Sequence, residues 1–372
     1  KTGCEPGMFI YEQTLSQSAH YHCLQGKRYD MNFLKRMFFF LLWLLQVHHF
    51  CRYVHRRKVV VLAYHGVVDD DDGGLWTLLP ARRFREQIEY LNKYYSVISI
   101  DMLADFVEGK ATIPDNSVVI TFDDGYRNNH DIAFPVLLEY KTPATIFVTS
   151  GIIDRQELSW FDEIAVSLET YKGKLELPPL EMAVSVTDTN RQIVTEMLIQ
   201  RTKRLCPDLR STVLSVVRDL PASGEAKRHR MKENLMPLNW NQVRTLNASP
   251  LITIGAHTSD HTILTTCSLE YAREQILESK RSIERNINEH VDYFAYPNGT
   301  HRDFDEDIQN CLKGHDFRLA CTTIKKFVDK GTNPLEVGRF CVGNDLTSWL
   351  PYFSLNLSGF SRMPSCRKRV AV

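Results

Sequence analysis

From Val59 onward, short β-rich runs alternate with amphipathic helical stretches, and this alternation constrains the fold more than any other feature of the chain. Between the first two runs, ARRFREQIEYLNKY places Phe84, Ile88 and Leu91 on one helical face. The runs that read as strands are KVVVLAYH, SVISI, SVVITF, ATIFVTS, LITIGAH, VDYFAYP and FRLACTT. Strands that alternate with helices predict an α/β fold with a parallel sheet, open or closed as a barrel.

One stretch interrupts the alternation. Between residues 155 and 234 no run reads as a strand, whereas TNRQIVTEMLIQRTKRL and LRSTVLSVVRDL read as helices. We interpret this stretch as a helical insertion between barrel elements. At its start, Ser159 to Asp162 has the S-x-x-D spacing of a helix capping box.

The N-terminal region differs in composition from the rest. Residues 1–30 are polar without periodicity, and we expect them to be unstructured. Residues 31–58 form an apolar, signal-like or membrane-anchoring segment in which Met37 to Val47 carries no charge and basic residues lie on both sides. A spanning helix needs about 20 apolar residues, so a short signal anchor and an interfacial helix both remain open. We expect membrane association through residues 37–51 and a membrane-associated or exported location, with a cytoplasmic location as the alternative.

Composition excludes other classes. Lys+Arg and Asp+Glu both number 45, so no net positive field indicates nucleic acid as a partner. The nine cysteines include no CxxC pair, which argues against a zinc ribbon or a disulfide scaffold.

Reactive side chains follow three of the predicted strands. Asp123 and Asp124 end SVVITF, His257 and His261 follow LITIGA, and His65 ends the first strand. Parallel strands bring their carboxyl ends to one edge, where two histidines and one carboxylate suit zinc or a similar divalent ion. The second carboxylate could act as a general base. Each motif alone has a plainer interpretation, because Asp-Asp-Gly makes turns and an isolated HxxxH is often coincidental. Their combination at strand ends favours a site.

Three motifs in order, TFDDGY, HTSDH and FAYPNG, resemble those of the polysaccharide deacetylases with a NodB-type homology domain, carbohydrate esterase family four. LAYHGV, PATIFVTSG and WNQVRTL extend the resemblance over residues 59–350 and leave 351–372 as a C-terminal tail. The resemblance implies a distorted (β/α) barrel and metal-dependent hydrolysis of an acetamido or acetoxy group on a sugar.

Roles for individual residues come from the same resemblance. It implies that Asp123 is the base and that Asp124, His257 and His261 bind a divalent metal, with Zn²⁺ as the first choice and other divalent ions as alternatives. The residues it implies for substrate binding are Tyr296 and Pro297 in the groove wall, with a backbone N–H near Tyr296 or Asn298 for the oxyanion. Apart from the resemblance, Trp160 is a candidate aromatic that stacks on a sugar at the groove edge.

Two departures from the family pattern stand out. FAYPNG has Ala295 where the family usually has an arginine that orients the base, and we expect Arg339 to replace it, with Arg318 as the second choice. The family's C-terminal Leu-x-His motif is also missing. The LAYH run resembles the circularly permuted members of the family, which makes His65 the expected general acid.

The expected reaction is removal of the N-acetyl group from N-acetylhexosamine residues of a polysaccharide or oligosaccharide, with release of acetate. One alternative is an O-acetyl esterase or deformylase acting on a glycan or glycolipid. Another is a catalytically inactive carbohydrate-binding relative, which Ala295 supports and Asp123 argues against.

Overall fold

The computed structural model describes residues 33–69, 75–221 and 224–360. We predicted that residues 1–30 are unstructured and that residues 351–372 form a tail. Residues 1–30 and 361–372 lie outside the described residues. Between the described ends, the domain is built around one curled parallel sheet.

All seven predicted strands are present in the sheet, which in the described residues has eight strands in the order β11-β10-β9-β6-β5-β1-β12, with β4 paired to β5. Every pairing in it is parallel. The strands are β1 Val60–Tyr64, β4 Ser96–Val97, β5 Ser117–Phe122, β6 Ala144–Val148, β9 Ile252–Ala256, β10 Tyr293–Ala295, β11 Leu319–Cys321 and β12 Phe340–Cys341. A short parallel pair, β2 Gly66–Val68 and β3 Leu78–Pro80, lies beside it.

Helices surround the sheet. They are α1 Phe33–Leu44, α2 Val47–Val54, α3 Ala81–Tyr94, α4 Ile100–Val107, α5 Phe134–Glu139, α6 Ser150–Arg155, α7 Trp160–Leu168, α8 Arg191–Thr202, α9 Pro207–Arg218, α10 Glu225–Asn234, α11 Trp240–Asn247, α12 Leu269–Ile287, α13 Glu306–Gly314 and α14 Leu350–Leu357. The predicted helix with Phe84 and Ile88 on its buried face is α3.

The pleat divides each strand between two apolar layers. On β1, Leu62 belongs to the large cluster that packs under the helices, whereas Val61 belongs to a second cluster with α4. On β5, Ile120 and Val119 divide in the same way. Since both faces are covered, β5 is buried along its whole length, as expected for a parallel strand.

The curled sheet is nearly closed by the segment that precedes β12. Val337 pairs with Cys321 of β11, and three residues later Phe340 pairs with Leu62 of β1. The chain therefore crosses from one edge of the sheet to the other at residues 337–340. This crossing makes the first and last strands neighbours and carries Arg339 into the interior.

The insertion at 155–234 was predicted to be helical, but it is only partly so. It contains an antiparallel hairpin of β7 Gly173–Leu177 and β8 Met182–Val186, which packs with α7, α8 and α9 around a cluster of its own that includes Leu175 and Val213. The prediction of a capping box at Ser159 is also wrong, because its hydrogen bonds are not formed. Ser159 is the N-cap residue of α7, but its side chain makes no capping hydrogen bond, and Asp162 is engaged elsewhere.

The two ends of the described chain pack together. Residues 351–357 are not a tail, because they belong to α14, which buries Phe353 and Leu357 in the main core. Helix α2 contacts α14, and the ring of Phe39 in α1 meets Tyr352 edge to face. Within the described residues, no single helix is long and apolar enough to cross a membrane. Helices α1 and α2 together have sufficient length and apolar content, but the pair is bent by 70°.

Candidate metal and acid–base site

Asp124, His257 and His261 meet at the carboxyl ends of neighbouring strands. Their ligand atoms all lie within 4.8 Å of one another. The Asp124 Oδ1 atom is 3.5 Å from His257 Nε2 and 3.3 Å from His261 Nε2, and the two rings are 4.9 Å apart. All three residues are buried, and Oδ1 of Asp124 has no hydrogen-bond partner in the described part of the chain. These three donor atoms, of which the Asp124 oxygen has no other partner, fit a divalent metal ion with positions left for water and substrate.

The surroundings act differently on the two histidines, because Asp124 and Asp123 raise the pKa of His257 against the effect of burial, whereas burial dominates at His261. His257 Nδ1 lies 2.7 Å from the carbonyl oxygen of Ala295, so this nitrogen donates and Nε2 faces Asp124. Burial lowers the pKa of His261 to about 3, which outweighs the opposing effect of Asp124. A neutral imidazole is the form that binds a metal. Ala295, which replaces the family's arginine, thus contributes its backbone to the site.

Left-handed backbone marks the loops that carry these ligands. Asp124 has φ 71° and Gly125 has φ 71°, while Thr258 has φ 64° and His261 has φ 50°. Non-glycine residues adopt this region at a cost and are enriched at functional sites. At Gly125 a Cβ would also lie 3.1–3.2 Å from Val148. The turn after β5 therefore requires glycine while it directs the two aspartates apart.

Asp123 forms a buried ion pair with Arg339. Arg339 Nη1 and Nη2 each donate to one carboxylate oxygen at 2.7 Å, and the arginine side chain is fully buried. The same guanidinium donates to the carbonyl oxygen of Thr322 at 2.9 Å and to Thr121 Oγ1 at 3.0 Å. Burial raises the pKa of Asp123, but Arg339 and the nearby His257 outweigh it and hold this pKa below its usual value. Asp123 is therefore an ionised, rigidly oriented carboxylate beside the metal-ligand residues.

Arg318, our second choice for the orienting cation, lies elsewhere. Its guanidinium is at the surface, where it pairs with Asp105 at 2.6 Å and with Glu108 at 2.9 Å near α4. The arginine that reaches Asp123 is Arg339, which lies on the segment that crosses between the two edges of the sheet.

His65 follows β1 at the same edge and is half-buried. Burial lowers its pKa, while the negative charges of Asp124 and Asp123 act in the opposite direction. Its ring packs edge to face on Trp76 with centroids 5.5 Å apart, and Asn129 Nδ2 donates to its carbonyl oxygen at 2.7 Å. Its Nδ1 has no hydrogen-bond partner among the described residues. His65 thus lies within electrostatic range of both aspartates and of His257.

The FAYPNG segment does not form the groove wall in the way predicted. The ring of Tyr296 is fully buried, stacks on Phe304 and donates its hydroxyl to the carbonyl oxygen of Leu335. Its backbone N–H donates to the carbonyl oxygen of Cys321, so it is not directed at an oxyanion. Pro297 is buried as well. Asn298 is half-buried, accepts from Lys203 Nζ at 2.8 Å and donates to Asp303 at 2.6 Å, which ties it to the insertion.

Trp160 is a supporting residue and not an exposed stacking platform. Only 6% of it is exposed, its Nε1 donates to the carbonyl oxygen of His261 at 3.3 Å, and the guanidinium of Arg210 lies over its ring at 4.9 Å. The next residue, Phe161, is partly exposed and lies 4.7 Å from the ring of His261. Trp160 therefore supports the candidate site from the core, and Phe161 is the aromatic nearer to solvent.

A buried tyrosine–carboxylate pair that was not predicted lies beside Asp124. The hydroxyl of Tyr126 donates to Asp162 Oδ2 at 2.8 Å, and both side chains are buried. Burial, reinforced by the charge of Asp124, raises the pKa of Asp162 well above its usual value. Tyr126 and Asp162 both stand in conspicuous motifs, TFDDGY and SWFDE, but nothing in either motif indicates that they contact each other.

The geometry defines a class of protein: a curled parallel α/β sheet with an Asp-His-His candidate metal site and an arginine-held carboxylate at the carboxyl ends of its strands. The sequence profile of the family described as polysaccharide deacetylase matches residues 110–320, more than half of the chain. The chain belongs to the polysaccharide deacetylase family.

Individual relatives match over shorter stretches. The chain is 30% identical over 86 residues to the poly-β-1,6-N-acetyl-D-glucosamine N-deacetylase of Escherichia coli K12, covering 23% of this chain and 13% of that protein. It is 31% identical over 93 residues to the putative polysaccharide deacetylase YxkH of Bacillus subtilis, covering 24% of this chain and 32% of that protein. The matches thus span less than a third of the length of either relative.

Solved structures match over most of the fold. IcaB from Ammonifex degensii superposes with a TM-score of 0.53 at 20% identity, covering 80% of this chain and 97% of that one. The Streptococcus pyogenes deacetylase PplD superposes with a TM-score of 0.52 at 14% identity, covering 78% of this chain and 95% of that one. At these identities the likeness shows that the fold is shared.

Proposed function

We propose that this chain is a metal-dependent polysaccharide deacetylase that hydrolyses the N-acetyl group of N-acetylhexosamine residues and releases acetate. The observation that carries the proposal is the ion pair of Asp123 and Arg339 beside Asp124, His257 and His261. A site that only binds a metal has no use for a second, rigidly oriented carboxylate. A hydrolase needs one as its base.

The donor set supports a divalent metal held by Asp124, His257 and His261. Mixed nitrogen and oxygen donors in a three-residue site favour Zn²⁺, and other divalent ions remain alternatives. Such an ion would polarise the acetyl carbonyl group and lower the pKa of an attacking water.

The chain's own residues supply the proton transfers. Asp123 accepts a proton from the water whose oxygen adds to the carbonyl carbon, and Arg339 keeps this carboxylate oriented towards it. When the carbon–nitrogen bond breaks, His65 donates a proton to the departing nitrogen, so that the products are a primary amine and acetate. Each proton transfer is worth about 10²- to 10⁴-fold in rate.

The substrate part of the proposal draws support from the named relative. The E. coli protein is a poly-β-1,6-N-acetyl-D-glucosamine N-deacetylase, and the segment it shares with this chain favours an N-acetylhexosamine polymer as substrate. The same acid–base groups could cleave an O-acetyl ester or a formamide on a glycan or glycolipid, which is the alternative.

The proposal of an inactive carbohydrate-binding relative loses its main support. It depended on Ala295 in place of the orienting arginine, and a buried arginine from the segment before β12 contacts both oxygens of Asp123.

We also propose, as a separate part, that the chain associates with a membrane through residues 37–51.

The test uses purified chain loaded with Zn²⁺ and a β-1,6-linked N-acetylglucosamine oligomer, with acetate and new primary amine both quantified. We expect equal amounts of the two products, loss of both with chelator, and loss of turnover in Asp123→Asn with the bound metal retained. Asp115→Asn, a change at an exposed acid that pairs with Arg56, is the matched control and should be fully active.

Two outcomes would contradict the assignment. An active Asp123→Asn variant would remove the base from the mechanism. Acetate without new amine, obtained only from O-acetylated glycans, would favour the esterase alternative.

A further inference from the structure

We propose that helices α1 and α2 form a docking surface for an anionic phospholipid bilayer and lie in the plane of its interface. This inference rests on the membrane association proposed above and is independent of the deacetylase chemistry. It specifies the surface, the lipid charge and the orientation of the helices.

The exposed large apolar side chains are concentrated on this helix pair. Of the fifteen large hydrophobic residues exposed among the described residues, eleven lie between Phe33 and Val54. The most exposed are Leu45 at 74%, Phe50 at 70% and Phe33 at 66%. Contiguous apolar surface of this kind is uncommon on a monomeric soluble protein and marks an interaction site.

The opposite face of the pair is fixed to the folded domain. The ring of Phe39 contacts Tyr352 with centroids 4.7 Å apart, and the guanidinium of Arg36 lies 5.9 Å from the ring of Trp349. At the far end, His55 Nδ1 lies 2.9 Å from the carbonyl oxygen of Ser358. The apolar face is therefore a surface of the domain with a defined orientation.

The bend and this packing favour an in-plane arrangement over a spanning one. The axes of α1 and α2 differ by 70°, and the described part of α1, 12 residues from Phe33 to Leu44, falls short of the roughly 20 residues that cross a bilayer. Both helices also keep contacts with the domain that a spanning helix would have to give up. An amphipathic pair held against a domain buries its apolar side among the lipid headgroups and acyl chains.

Charge identifies the occupant. Residues 33–58 contain six lysine and arginine residues and no aspartate or glutamate, although the whole chain is balanced. Arg57 and Lys58 are exposed at one end of the pair and Arg36 at the other. Basic residues that flank an apolar face are attracted to anionic headgroups, whereas two copies of this surface would repel each other.

The docking surface reaches the edge of the sheet that carries the candidate site. Trp349, which Arg36 and Phe40 contact, follows the loop at 343–348. In that loop Asn344 N–H donates to the carbonyl oxygen of Trp76, whose ring contacts His65. A docked chain would therefore hold the site close to the bilayer surface, where a glycan attached to that surface could enter it.

The experiment measures co-sedimentation of the full chain with vesicles of phosphatidylglycerol and phosphatidylcholine, and with vesicles of phosphatidylcholine alone. We expect binding to the anionic vesicles, weakened by salt. The double variant Leu41→Glu/Leu45→Glu should reduce the fraction bound to anionic vesicles by about tenfold or more, because it places charge on the apolar face that would enter the bilayer. The matched control is Leu138→Glu/Leu209→Glu, at exposures of 46% and 45% elsewhere on the domain, and should bind like the parent chain.

A charge variant and a folding check complete the design. Arg57→Glu/Lys58→Glu should lose binding to anionic vesicles without a change in the thermal unfolding temperature. Thermal unfolding of every variant separates loss of docking from loss of fold. Failure of acetate release would leave the vesicle result intact, so the two proposals fail separately.

Three results would overturn the inference. Equal binding to neutral and anionic vesicles would contradict the role of charge. Absence of vesicle binding, with a dimer that Leu41→Glu/Leu45→Glu dissociates, would assign the surface to a second copy of the chain. Protection of the segment before Phe33 from protease added outside the vesicles would indicate a spanning arrangement.

Discussion

Replacement of Arg339 by methionine tests the assignment of Asp123 most directly. Methionine is uncharged and matches the arginine side chain only out to about its Nε position, so the variant keeps the apolar stem and removes every hydrogen bond of the guanidinium together with its contact over the ring of Phe147. Asp123 would then be a buried carboxylate without its partner. We expect a large loss of both stability and activity.

The magnitude follows from the environment of the pair. Removing one partner of a buried ion pair costs about 3–5 kcal/mol, because the remaining charge stays uncompensated. The lost bonds to Thr322 and Thr121 add about 1 kcal/mol each, partly offset by the apolar side chain. Domains have only about 5–15 kcal/mol in total, so the variant should fold with a much reduced margin. The double variant Arg339→Met/Asp123→Asn should recover a large part of the loss, since no buried charge is left.

The pH dependence separates this explanation from a simple packing defect. In the parent chain the pKa of Asp123 is below its unfolded value, so its contribution to stability is present above about pH 4 and is lost as pH falls through the lower folded value. Without Arg339, burial dominates and the pKa rises above the unfolded value. The carboxylate then destabilises the fold above that raised pKa and ceases to do so once it is protonated. The stability deficit should therefore be largest near pH 7–8 and smaller near pH 5.

The assay is urea unfolding of chelator-treated protein at several pH values, together with acetate release by metal-loaded protein. Arg318→Met is the matched control, because that arginine pairs with Asp105 and Glu108 at the surface and should cost about 1 kcal/mol or less. A loss in unfolding free energy that does not change with pH would refute the ion-pair explanation. A double variant that is no more stable than Arg339→Met would refute it as well.

Further predictions concern the ligands, the acid and the turn. His257→Ala should reduce bound metal to well below one equivalent by elemental analysis and abolish acetate release, because two donors remain of three. His65→Gln should slow amide hydrolysis by about 10²-fold while hydrolysis of an aryl acetate falls much less, since a phenolate leaves without a proton; equal losses on both substrates would argue against the acid role. Gly125→Ala should destabilise the chain by more than about 1 kcal/mol in urea unfolding, because strain adds to contact with Val148. Gly109→Ala, with φ +75° and open space around its Cβ position, isolates the strain alone.

Much of the fold was predictable because a parallel strand buried on both faces leaves a recognisable apolar run. Every run read as a strand is a strand of the sheet. The elements that were missed have weaker signals: β12 is two residues long, and β7 has the alternating burial of a half-exposed strand within a polar segment. Helix α14 was missed because we took the family resemblance to end at residue 350.

The site divides along a similar line. Side chains at the ends of strands could be placed together from topology alone, and Asp124, His257 and His261 do meet. Contacts between distant segments could not: Tyr126 and Asp162 are 36 positions apart. The misreadings of Tyr296 and Trp160 have one cause. An aromatic in a motif can support the site from the core or face the substrate, and sequence does not say which side of the backbone it takes.

The division of labour between Asp123 and Asp124 has a structural origin in the pleat and the turn. Asp123 continues the alternation of Val119 and Thr121, so it points to the interior, where Arg339 arrives through the crossing segment. Asp124 leaves the strand with φ 71° and turns to the two histidines. Burial opposes ionisation of both residues, but Arg339 lowers the pKa of Asp123 and the hydrogen bond with His257 lowers the pKa of Asp124, so both pKa values lie below their usual range. The arginine that balances the pair lies on the segment that crosses between the two edges of the sheet, so the segment that nearly closes the sheet also supplies the cation of the site.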